Sequence, residues 1–322
     1  MPTDRPRVVI TETLGDEAAD FLAERFEVVR HKHDQPGFDD VIKDAHALVV
    51  RTYTDVNDAL LDKAPGLRVV GRAGVGLDNI DVPACRKRNV EVVYTPDANT
   101  QSVVEYVLAL MLDHVRPRTA MPVSVSGEKF HALRKTEVGR QLDRLTLGIL
   151  GHGRIGRRVG AVAHVLGMNV RVCDLLPEAQ LRKRAEYPFE FVDHDTLYAS
   201  ADVLTVHVDG RPGNRGLINA GVLDRLKHDA LLINAARGML VDANALAKWA
   251  RENEHAAAVL DVHDPEPPPA DYPLYGLPNV RLLPHLASRT HTAMANMSWV
   301  VKDVAAVLDG EAPQHPAPDD AE

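Results

Sequence analysis

The stretch 147–156, LGILGHGRIG, constrains the fold of this chain more than any other. An apolar run leads into Gly151, Gly153 and Gly156, which have the spacing G-x-G-x-x-G. The first glycine permits a sharp turn, the second leaves room for a phosphate at the backbone, and the third lets a helix pack on the strand. The unpaired amides at the start of that helix favour an anion. The stretch therefore predicts a Rossmann unit that binds a dinucleotide.

An acid stands where such a unit needs one. The next apolar run, NVRVCD at 169–174, ends in Asp174, which follows Gly156 by 18 residues. An acid about 20 residues beyond the glycines hydrogen-bonds the ribose hydroxyls of the adenosine, and its charge repels a 2′-phosphate. The simpler interpretation of Asp174 is a turn residue at a strand end. With the glycines in place the ribose role is favoured, and NAD is the expected cofactor.

Composition excludes several classes of protein. The net charge of -9 argues against a nucleic-acid partner, because that binding depends on basic residues. Cys85 and Cys173 have no neighbours at metal-ligand spacing, so we expect neither a metal site nor a disulfide. No apolar run approaches the roughly 20 residues of a membrane span. The sequence predicts a cytoplasmic protein without membrane or nucleic-acid partners.

Apolar runs alternate with short amphipathic stretches on both sides of a long apolar stretch at 99–115. This alternation predicts α/β architecture with parallel sheets. Ser102 and Glu105 have the spacing of a capping box at the start of the 99–115 helix. The polar stretch 123–144 is expected to be a loop, and 290–308 a single helix.

Polar residues end several of the predicted strands. His207, Arg237, Asp261 and His285 each follow an apolar run, as Asp174 does. Each alone has an ordinary explanation as a surface or turn residue. Because ligands of open parallel sheets bind outside the carboxyl ends of the strands, these residues together indicate a site at one edge.

These residue types suit hydride transfer to a carbonyl beside a carboxylate. A guanidinium such as that of Arg237 binds a carboxylate through two parallel hydrogen bonds. A histidine exchanges the hydroxyl proton near neutral pH, and a carboxylate such as Glu266 fixes its tautomer. Upstream, Gly74 and Gly76 follow a predicted strand in VGRAGVGLDNID, where backbone amides could form an anion-binding turn or a plain β-to-α turn.

These motifs resemble, in order along the chain, those of the D-isomer-specific 2-hydroxyacid dehydrogenase family, in its phosphoglycerate dehydrogenase-like branch. The stretches that carry the resemblance are GRAGVGLDNID at 71–81, NTQSVVEYV at 99–107, LGILGHGRIG at 147–156, INAARGMLVD at 233–242, LDVHDPEP at 260–267 and LLPHLAS at 282–288. The resemblance implies an NAD-dependent oxidoreductase that interconverts a 2-keto acid and a D-2-hydroxy acid.

The resemblance also implies roles for individual residues. His285 becomes the acid/base, Glu266 its partner and Arg237 the substrate anchor. The implied dinucleotide contacts are Gly151, Gly153, Arg154, Ile155, Gly156, Asp174, His207, Ala235 and Asp261, with Asp261 near the carboxamide. The implied substrate contacts are Arg51 and the backbone amides of Ala73, Gly74 and Val75.

The fold implied by the resemblance is a flavodoxin-like substrate domain, 1–98 and 287–322, interrupted by an NAD-binding Rossmann domain at 99–286. Members are usually homodimers, and no regulatory domain is expected after the last helix. The sequence departs from the family at 207–216 (HVDGRPGNRG), at His263, where an aromatic residue is common, and in LASRT after His285.

Several alternatives remain open. Within the enzyme class the substrate could be 3-phosphoglycerate, glycerate or hydroxypyruvate, glyoxylate, or D-lactate. Arg51 and the basic residues at 129–140 favour an anionic one. Formate oxidation is disfavoured because the formate branch has Gln at the position of Glu266, whereas a phosphite dehydrogenase fits the same residues. A different class with this fold is the NAD(H)-sensing corepressor, which binds without turnover.

Overall fold

The computed structural model describes residues 5–118, 120–121, 124–136 and 138–318. The twelve strands of these residues are β1 Arg7–Ile10, β2 Glu27–Arg30, β3 Ala47–Val50, β4 Val69–Arg72, β5 Glu91–Tyr94, β6 Thr146–Leu150, β7 Asn169–Cys173, β8 Glu190–Phe191, β9 Val203–Val206, β10 Leu231–Asn234, β11 Ala257–Leu260 and β12 Val280–Leu282. The helices are α1 Asp16–Ala23, α2 Phe38–Ile42, α3 Asp58–Leu61, α4 Val82–Lys87, α5 Thr100–Val115, α6 Gly127–Thr136, α7 Arg154–Val165, α8 Glu178–Arg184, α9 His194–Ser200, α10 Ala220–Leu223, α11 Ala243–Glu252, α12 His291–Ser298 and α13 Val301–Leu308.

The chain divides into two compact units, one formed by Met1–Asn99 with Ser288–Glu322 and the other by Thr100–Ala287. In the first unit five parallel strands lie in the order β2-β1-β3-β4-β5. This is the flavodoxin-like order, in which the direction of travel across the sheet reverses between β1 and β3. Alternate residues of the strands enter cores on opposite faces: Val8 and Ile10 pack with α1 and α13, whereas Val9 packs with α2 and α4.

In the second unit seven parallel strands lie in the order β12-β11-β10-β9-β6-β7-β8. This is the doubly wound dinucleotide-binding order, and it reverses between β6 and β9. Strands such as β9 and β10 are buried along their whole length, as parallel strands covered on both faces must be. The predicted α/β class with two parallel sheets is confirmed.

Three local predictions were wrong. The stretch 123–144 contains the helix α6 in its described part, although none of its side chains is buried. An exposed helix shows no apolar periodicity; Glu128 in its first turn and Lys135 in its last instead suit the helix dipole. Ser102 does not cap α5, because the helix begins at Thr100 and the Ser102 hydroxyl donates to the carbonyl of Ala287 at 2.6 Å.

The predicted helix 290–308 is two helices, α12 and α13, which meet at Trp299 and Val300. The Ser298 hydroxyl donates to the carbonyl of Met294 at 2.9 Å and accepts from the amide of Gly15 at 3.0 Å. A serine that bonds back onto its own helix bends it. The break therefore lies beside a serine whose hydroxyl is also bonded to a residue far away in the chain. Within the described residues, no helix is both long and apolar enough to cross a membrane.

Candidate active site

The glycine turn between β6 and α7 has the backbone that its sequence predicts. Gly151 has φ of 92°, in the left-handed region, and a Cβ there would come within 2.8 Å of the His207 backbone. A Cβ on Gly156 would lie 2.1 Å from the Gly151 carbonyl oxygen. Larger residues at either position would push the turn away from the sheet, so both glycines are required by close approach.

The same turn fits a dinucleotide phosphate. It lies at the point where the strand order of the second unit reverses, between β6 and β9. Gly153 precedes α7, and no atom lies within 4 Å of the position that its Cβ would occupy. Arg154 is exposed and Ile155 half-buried in the first helical turn, whose amides have no intrahelical partner. A negatively charged group could therefore approach the backbone directly.

Asp174 follows β7 next to this turn. One carboxylate oxygen accepts from the amide of His152 at 2.6 Å, and the other accepts from the amide of Leu176 at 2.8 Å. Because His152 lies between Gly151 and Gly153, the acid also fixes the turn itself. Its side chain is half-buried, so its outer face remains accessible to a ligand.

His207 and Ala235 follow the neighbouring strands β9 and β10, and both are half-buried. His207 Nε2 lies 3.0 Å from the Thr205 hydroxyl. Burial, together with the nearby His152, lowers the pKa of His207 to about 3. The His207 ring is therefore neutral near pH 7 and can offer only neutral hydrogen bonds.

Arg237 is held on a turn after β10. The fully buried Asn234 organises this turn: its side-chain amide donates to the Arg237 carbonyl at 2.8 Å, and its oxygen accepts from the Ala236 amide at 3.1 Å. The next residue, Gly238, packs so tightly that a Cβ would lie 1.9 Å from the carbonyl oxygen of His263. Asn234 was missed from the sequence, and its signal is an amide at the end of an otherwise apolar strand.

Glu266 and His285 are in direct contact. His285 Nδ1 lies 2.8 Å from one Glu266 carboxylate oxygen, and the amide of His263 donates to the other at 2.8 Å. Burial raises the pKa of Glu266, but the hydrogen bonds from His285 and the His263 amide outweigh it and hold that pKa below its usual value. Glu266 is therefore a carboxylate near neutral pH, and it leaves His285 Nε2 as the ring nitrogen for proton transfer.

The turn that carries His285 is strained and anchored. His285 has φ of 54°, a left-handed conformation that non-glycine residues rarely adopt. Its amide donates to the Asp261 carbonyl at 2.8 Å, and the amides of Leu286 and Ala287 donate to the Asp261 carboxylate, each at 2.8 Å. The Tyr106 hydroxyl, on α5, donates to the same carboxylate at 3.2 Å. Asp261 thus fixes three consecutive amides of the turn.

In the first unit, Arg51 follows β3, beside the point where that strand order reverses. Its guanidinium donates to the carbonyl of Thr13 at 3.3 Å and contacts Met294 Sδ at 3.1 Å. The carboxylate of Glu12, after β1, accepts from the four consecutive amides of residues 51–54 at 3.0–3.2 Å. Sequence reasoning missed Glu12, whose signal is an acid two residues after the first strand. It positions the segment that carries Arg51.

The predicted amides after β4 are not equivalent. The amide of Ala73 donates to the Val50 carbonyl at 2.9 Å, and the amide of Gly74 donates to the Arg72 carbonyl at 2.7 Å. In the part of the chain that the structure describes, the Val75 amide donates no hydrogen bond. Of the three predicted amides, only that of Val75 is available to a ligand without breaking an internal bond.

Two other sequence features are the basic stretch 129–140 and the unusual segment 207–216. Arg140, from the basic stretch 129–140, forms ion pairs with Asp202 at 2.8 Å and Asp229 at 3.3 Å. Asp202 immediately precedes β9, so Arg140 lies at the opposite end of the strands from the glycine turn. In the unusual segment 207–216 the Asp209 carboxylate accepts from Arg211 and Asn214, and Arg215 forms an ion pair with Asp264 outside the segment. Among the described residues no cluster of His, Cys, Asp and Glu could hold a metal ion.

Comparisons with known proteins show what this chain is similar to. Residues 108–287 match the model for the NAD-binding domain of D-isomer-specific 2-hydroxyacid dehydrogenases. A D-3-phosphoglycerate dehydrogenase of Archaeoglobus fulgidus is 36% identical over 92% of this chain and 56% of its own length. An (S)-sulfolactate dehydrogenase of Chromohalobacter salexigens is 38% identical over 80% of this chain and 82% of its own length. A glyoxylate reductase of Aeropyrum pernix is 32% identical over 96% of this chain and 95% of its own length.

Solved structures show the same fold. The TT0316 protein of Thermus thermophilus superposes with a TM-score of 0.83 at 33% identity, covering 97% of this chain and all of that one. A D-lactate dehydrogenase of Aquifex aeolicus, complexed with NAD and lactic acid, gives a TM-score of 0.79 at 25% identity. The match covers 94% of this chain and 96% of that one. The chain spans about half the length, 54% to 58%, of the phosphoglycerate dehydrogenases that it matches.

Proposed function

Because the chain belongs to the D-isomer-specific 2-hydroxyacid dehydrogenase family, we propose that it is an NAD-dependent oxidoreductase that interconverts a 2-keto acid and a D-2-hydroxy acid. The observation that carries this proposal is the 2.8 Å contact between Glu266 and His285 at the edge of the sheet that bears the glycine turn. A carboxylate–imidazole pair at that edge suits proton transfer beside a bound nicotinamide.

We propose that His285 is the acid/base. With Nδ1 held by Glu266, Nε2 gives a proton to the carbonyl oxygen during reduction and takes it from the hydroxyl during oxidation. The side chains of His285 and Glu266 are 42% and 30% exposed, so a substrate can reach the pair. Bound NADH would supply the hydride that the protein's own residues cannot provide.

Arg237 is proposed to bind the substrate carboxylate and polarise the adjacent carbonyl. Its guanidinium can form two parallel hydrogen bonds to a carboxylate, and Asn234 fixes the backbone from which it projects. In the first unit the proposed substrate contacts are Arg51 and the segment Ala73, Gly74 and Val75. The uncommitted amide of Val75 supports that assignment most directly.

For the cofactor we propose NAD, bound through the glycine turn and the residues that follow neighbouring strands. The proposed contacts are Gly151, Gly153, Arg154, Ile155, Gly156, Asp174, His207, Ala235 and Asp261. The acid at position 174 supports a preference for NAD over NADP, because it repels a 2′-phosphate.

The proposed substrate is a small anionic 2-hydroxy acid, with 3-phosphoglycerate and glycerate or hydroxypyruvate as the leading candidates. Relatives named phosphoglycerate dehydrogenase, sulfolactate dehydrogenase and hydroxypyruvate reductase support this range. Arg51 supports an anionic tail. Arg140 does not support an anionic substrate, because its ion pairs lie at the other end of the strands.

The test is an NADH-oxidation screen. Purified protein is mixed with NADH and hydroxypyruvate, 3-phosphohydroxypyruvate, sulfopyruvate, glyoxylate or pyruvate, and absorbance is followed at the nicotinamide band. We expect turnover of at least one acid with NADH and little or none when NADPH replaces NADH. The product should be the D isomer or, for sulfolactate, the isomer with the same spatial arrangement. NADH binding, seen by fluorescence, without turnover of any acid would replace this proposal with a sensor role.

We also propose that the protein is a homodimer in the cytoplasm. An apolar strip at the end of α7, comprising Val162, Val165 and Leu166, supports the dimer: Val165 is 83% exposed in the single chain. Sedimentation equilibrium should give twice the chain mass, and a monomer at micromolar concentration would rule the dimer out. The location is a prediction from the sequence.

A further inference from the structure

The side chain of His263, unlike its backbone amide, has no part in the proposed chemistry. It lies in the loop after β11, and only 8% of its surface is exposed. Its ring stands edge-on against Tyr272, with 5.6 Å between ring centroids and 89° between planes. A buried histidine is uncommon among the residues that fill protein cores, so its polar atoms need partners.

The contacts of His263 lead to the three segments that carry the proposed reactive side chains. The His263 amide donates to Glu266 at 2.8 Å, and His263 Nε2 lies 2.9 Å from the carbonyl of Leu283, two residues before His285. The carbonyl of His263 is the surface on which Gly238 packs, directly after Arg237. One residue therefore touches the Arg237 turn, the Glu266 loop and the segment leading to His285.

The side-chain contact fixes the tautomer. A carbonyl oxygen only accepts hydrogen bonds, so His263 Nε2 carries a proton and donates it to Leu283. Nδ1 is buried and, among the described residues, has no hydrogen-bond partner. The histidine thus contributes one specific bond that an aromatic hydrocarbon ring of similar size could not make.

We propose that His263 is a positioning residue for Arg237, Glu266 and His285. Its backbone holds the Arg237 turn and Glu266, and its Nε2–H bond to Leu283 ties the segment that leads to His285 to that backbone. The proposal rests on the proposed dehydrogenase function for its kinetic consequences. Its structural consequence, that His263 holds three loops together, does not depend on the identity of the substrate.

The experiment compares His263→Phe with His263→Gln. Phenylalanine keeps the ring and removes the donor, whereas the terminal amide of glutamine can place an N–H near the position of Nε2. One hydrogen bond is worth about 0.5–1.5 kcal/mol, so we expect His263→Phe to lower kcat by about two- to tenfold. KM for NADH should change less than kcat, because the glycine turn is not contacted, and His263→Gln should recover most of kcat. Tyr198→Phe, which removes a buried phenol hydroxyl of the same unit away from these loops, is the control.

A pH profile separates positioning from general packing. Contacts with His263 help hold the pKa of Glu266 down, alongside the larger effect of His285. Loosening the loop in His263→Phe should therefore raise that pKa and move the acid limb of kcat/KM to higher pH. In His263→Gln the acid limb of the kcat/KM profile should lie closer to its wild-type pH than in His263→Phe.

Amide hydrogen exchange tests the positioning role of His263 even if the protein turns over no substrate. We expect faster amide exchange at 236–240, 264–267 and 284–287 in His263→Phe and wild-type exchange there in His263→Gln. Equal kcat and exchange in His263→Phe and wild type would overturn the proposal. Equal defects in both variants would also overturn it, since ring packing would then be the cause. If the wild type reduces no acid, the proposed function is wrong. The positioning role of His263 is then tested by the hydrogen-exchange data alone.

Discussion

Asp261→Asn is the substitution that tests the site most sharply. The carboxylate is fully buried and accepts from the amides of Leu286 and Ala287, each at 2.8 Å, and from the Tyr106 hydroxyl at 3.2 Å. Asparagine has nearly the same volume. It removes the charge and replaces one accepting oxygen with an NH2 group, which cannot accept a hydrogen bond.

The expected loss follows from the bonds that asparagine cannot make. The two turn amides bond to different oxygens, so at least one of them loses its acceptor and faces another donor. A hydrogen bond to a charged group contributes about 1.5–3 kcal/mol, and an unpaired buried donor adds a desolvation cost. We therefore expect the free energy of unfolding to fall by about 2–4 kcal/mol. His285, at φ of 54°, would relax toward a common conformation, and kcat should fall by about ten- to a hundredfold.

Urea unfolding, steady-state turnover and NADH fluorescence titration on the same preparations check these numbers. Tyr106→Phe removes only the 3.2 Å bond and should cost about 1 kcal/mol with a small change in kcat. Tyr198→Phe is the matched control for loss of a buried phenol hydroxyl. If Asp261→Asn unfolds at the wild-type urea concentration and loses only NADH affinity, the carboxylate acts on the coenzyme, and our account of the turn is refuted.

The remaining predictions concern the proposed chemistry. His285→Ala should abolish turnover and leave NADH affinity near wild type by fluorescence; most of the rate remaining would exclude it as the acid/base. Since the pKa of Glu266 is held below its usual value of 4.5, its contribution to stability is present at neutral pH and is lost as the pH falls through the lowered pKa. In Glu266→Gln the free energy of unfolding should therefore depend less on pH below about pH 4.5. Asp174→Ala should weaken NADH binding and narrow the preference over NADPH, measured as the ratio of the two dissociation constants; an unchanged ratio counts against the ribose role. Arg237→Lys should lower kcat/KM strongly despite the retained charge, because the fork geometry is lost, whereas a mild effect would make Arg237 structural.

The glycine turn could be predicted from the sequence because its causes are local. Gly151 needs a left-handed backbone, and Gly156 needs the absence of a Cβ against the turn five residues earlier. Strand alternation is equally local, and it was sufficient to predict parallel sheets. It did not give the strand orders, which differ between the two units. The break between α12 and α13 was not predicted; Ser298, which lies beside it, bonds both to its own helix and to Gly15, far away in the chain.

The same distinction applies to the candidate site. That polar residues follow apolar strands is visible in the sequence, whereas the residues that hold them are recognised only through distant partners. Glu12 accepts from amides about 40 positions away, and Tyr106 reaches Asp261 across 155 positions. The exposed helix α6 was missed for another reason: a helix that buries no side chain leaves no apolar period to detect.

A pattern in the second unit explains why polar residues end its apolar strands. Asn234, Asp261 and His263 are each buried where β10 or β11 ends, and each bonds backbone of a segment that carries a proposed reactive side chain. Buried polar groups destabilise a fold unless their hydrogen bonds are satisfied. Any displacement of the Arg237 turn, the Glu266 loop or the His285 turn would leave one of these groups unsatisfied in a place that water does not reach. The three segments are therefore held to one arrangement by the cost of breaking bonds beneath them, so the proposed reactive side chains need few contacts with one another.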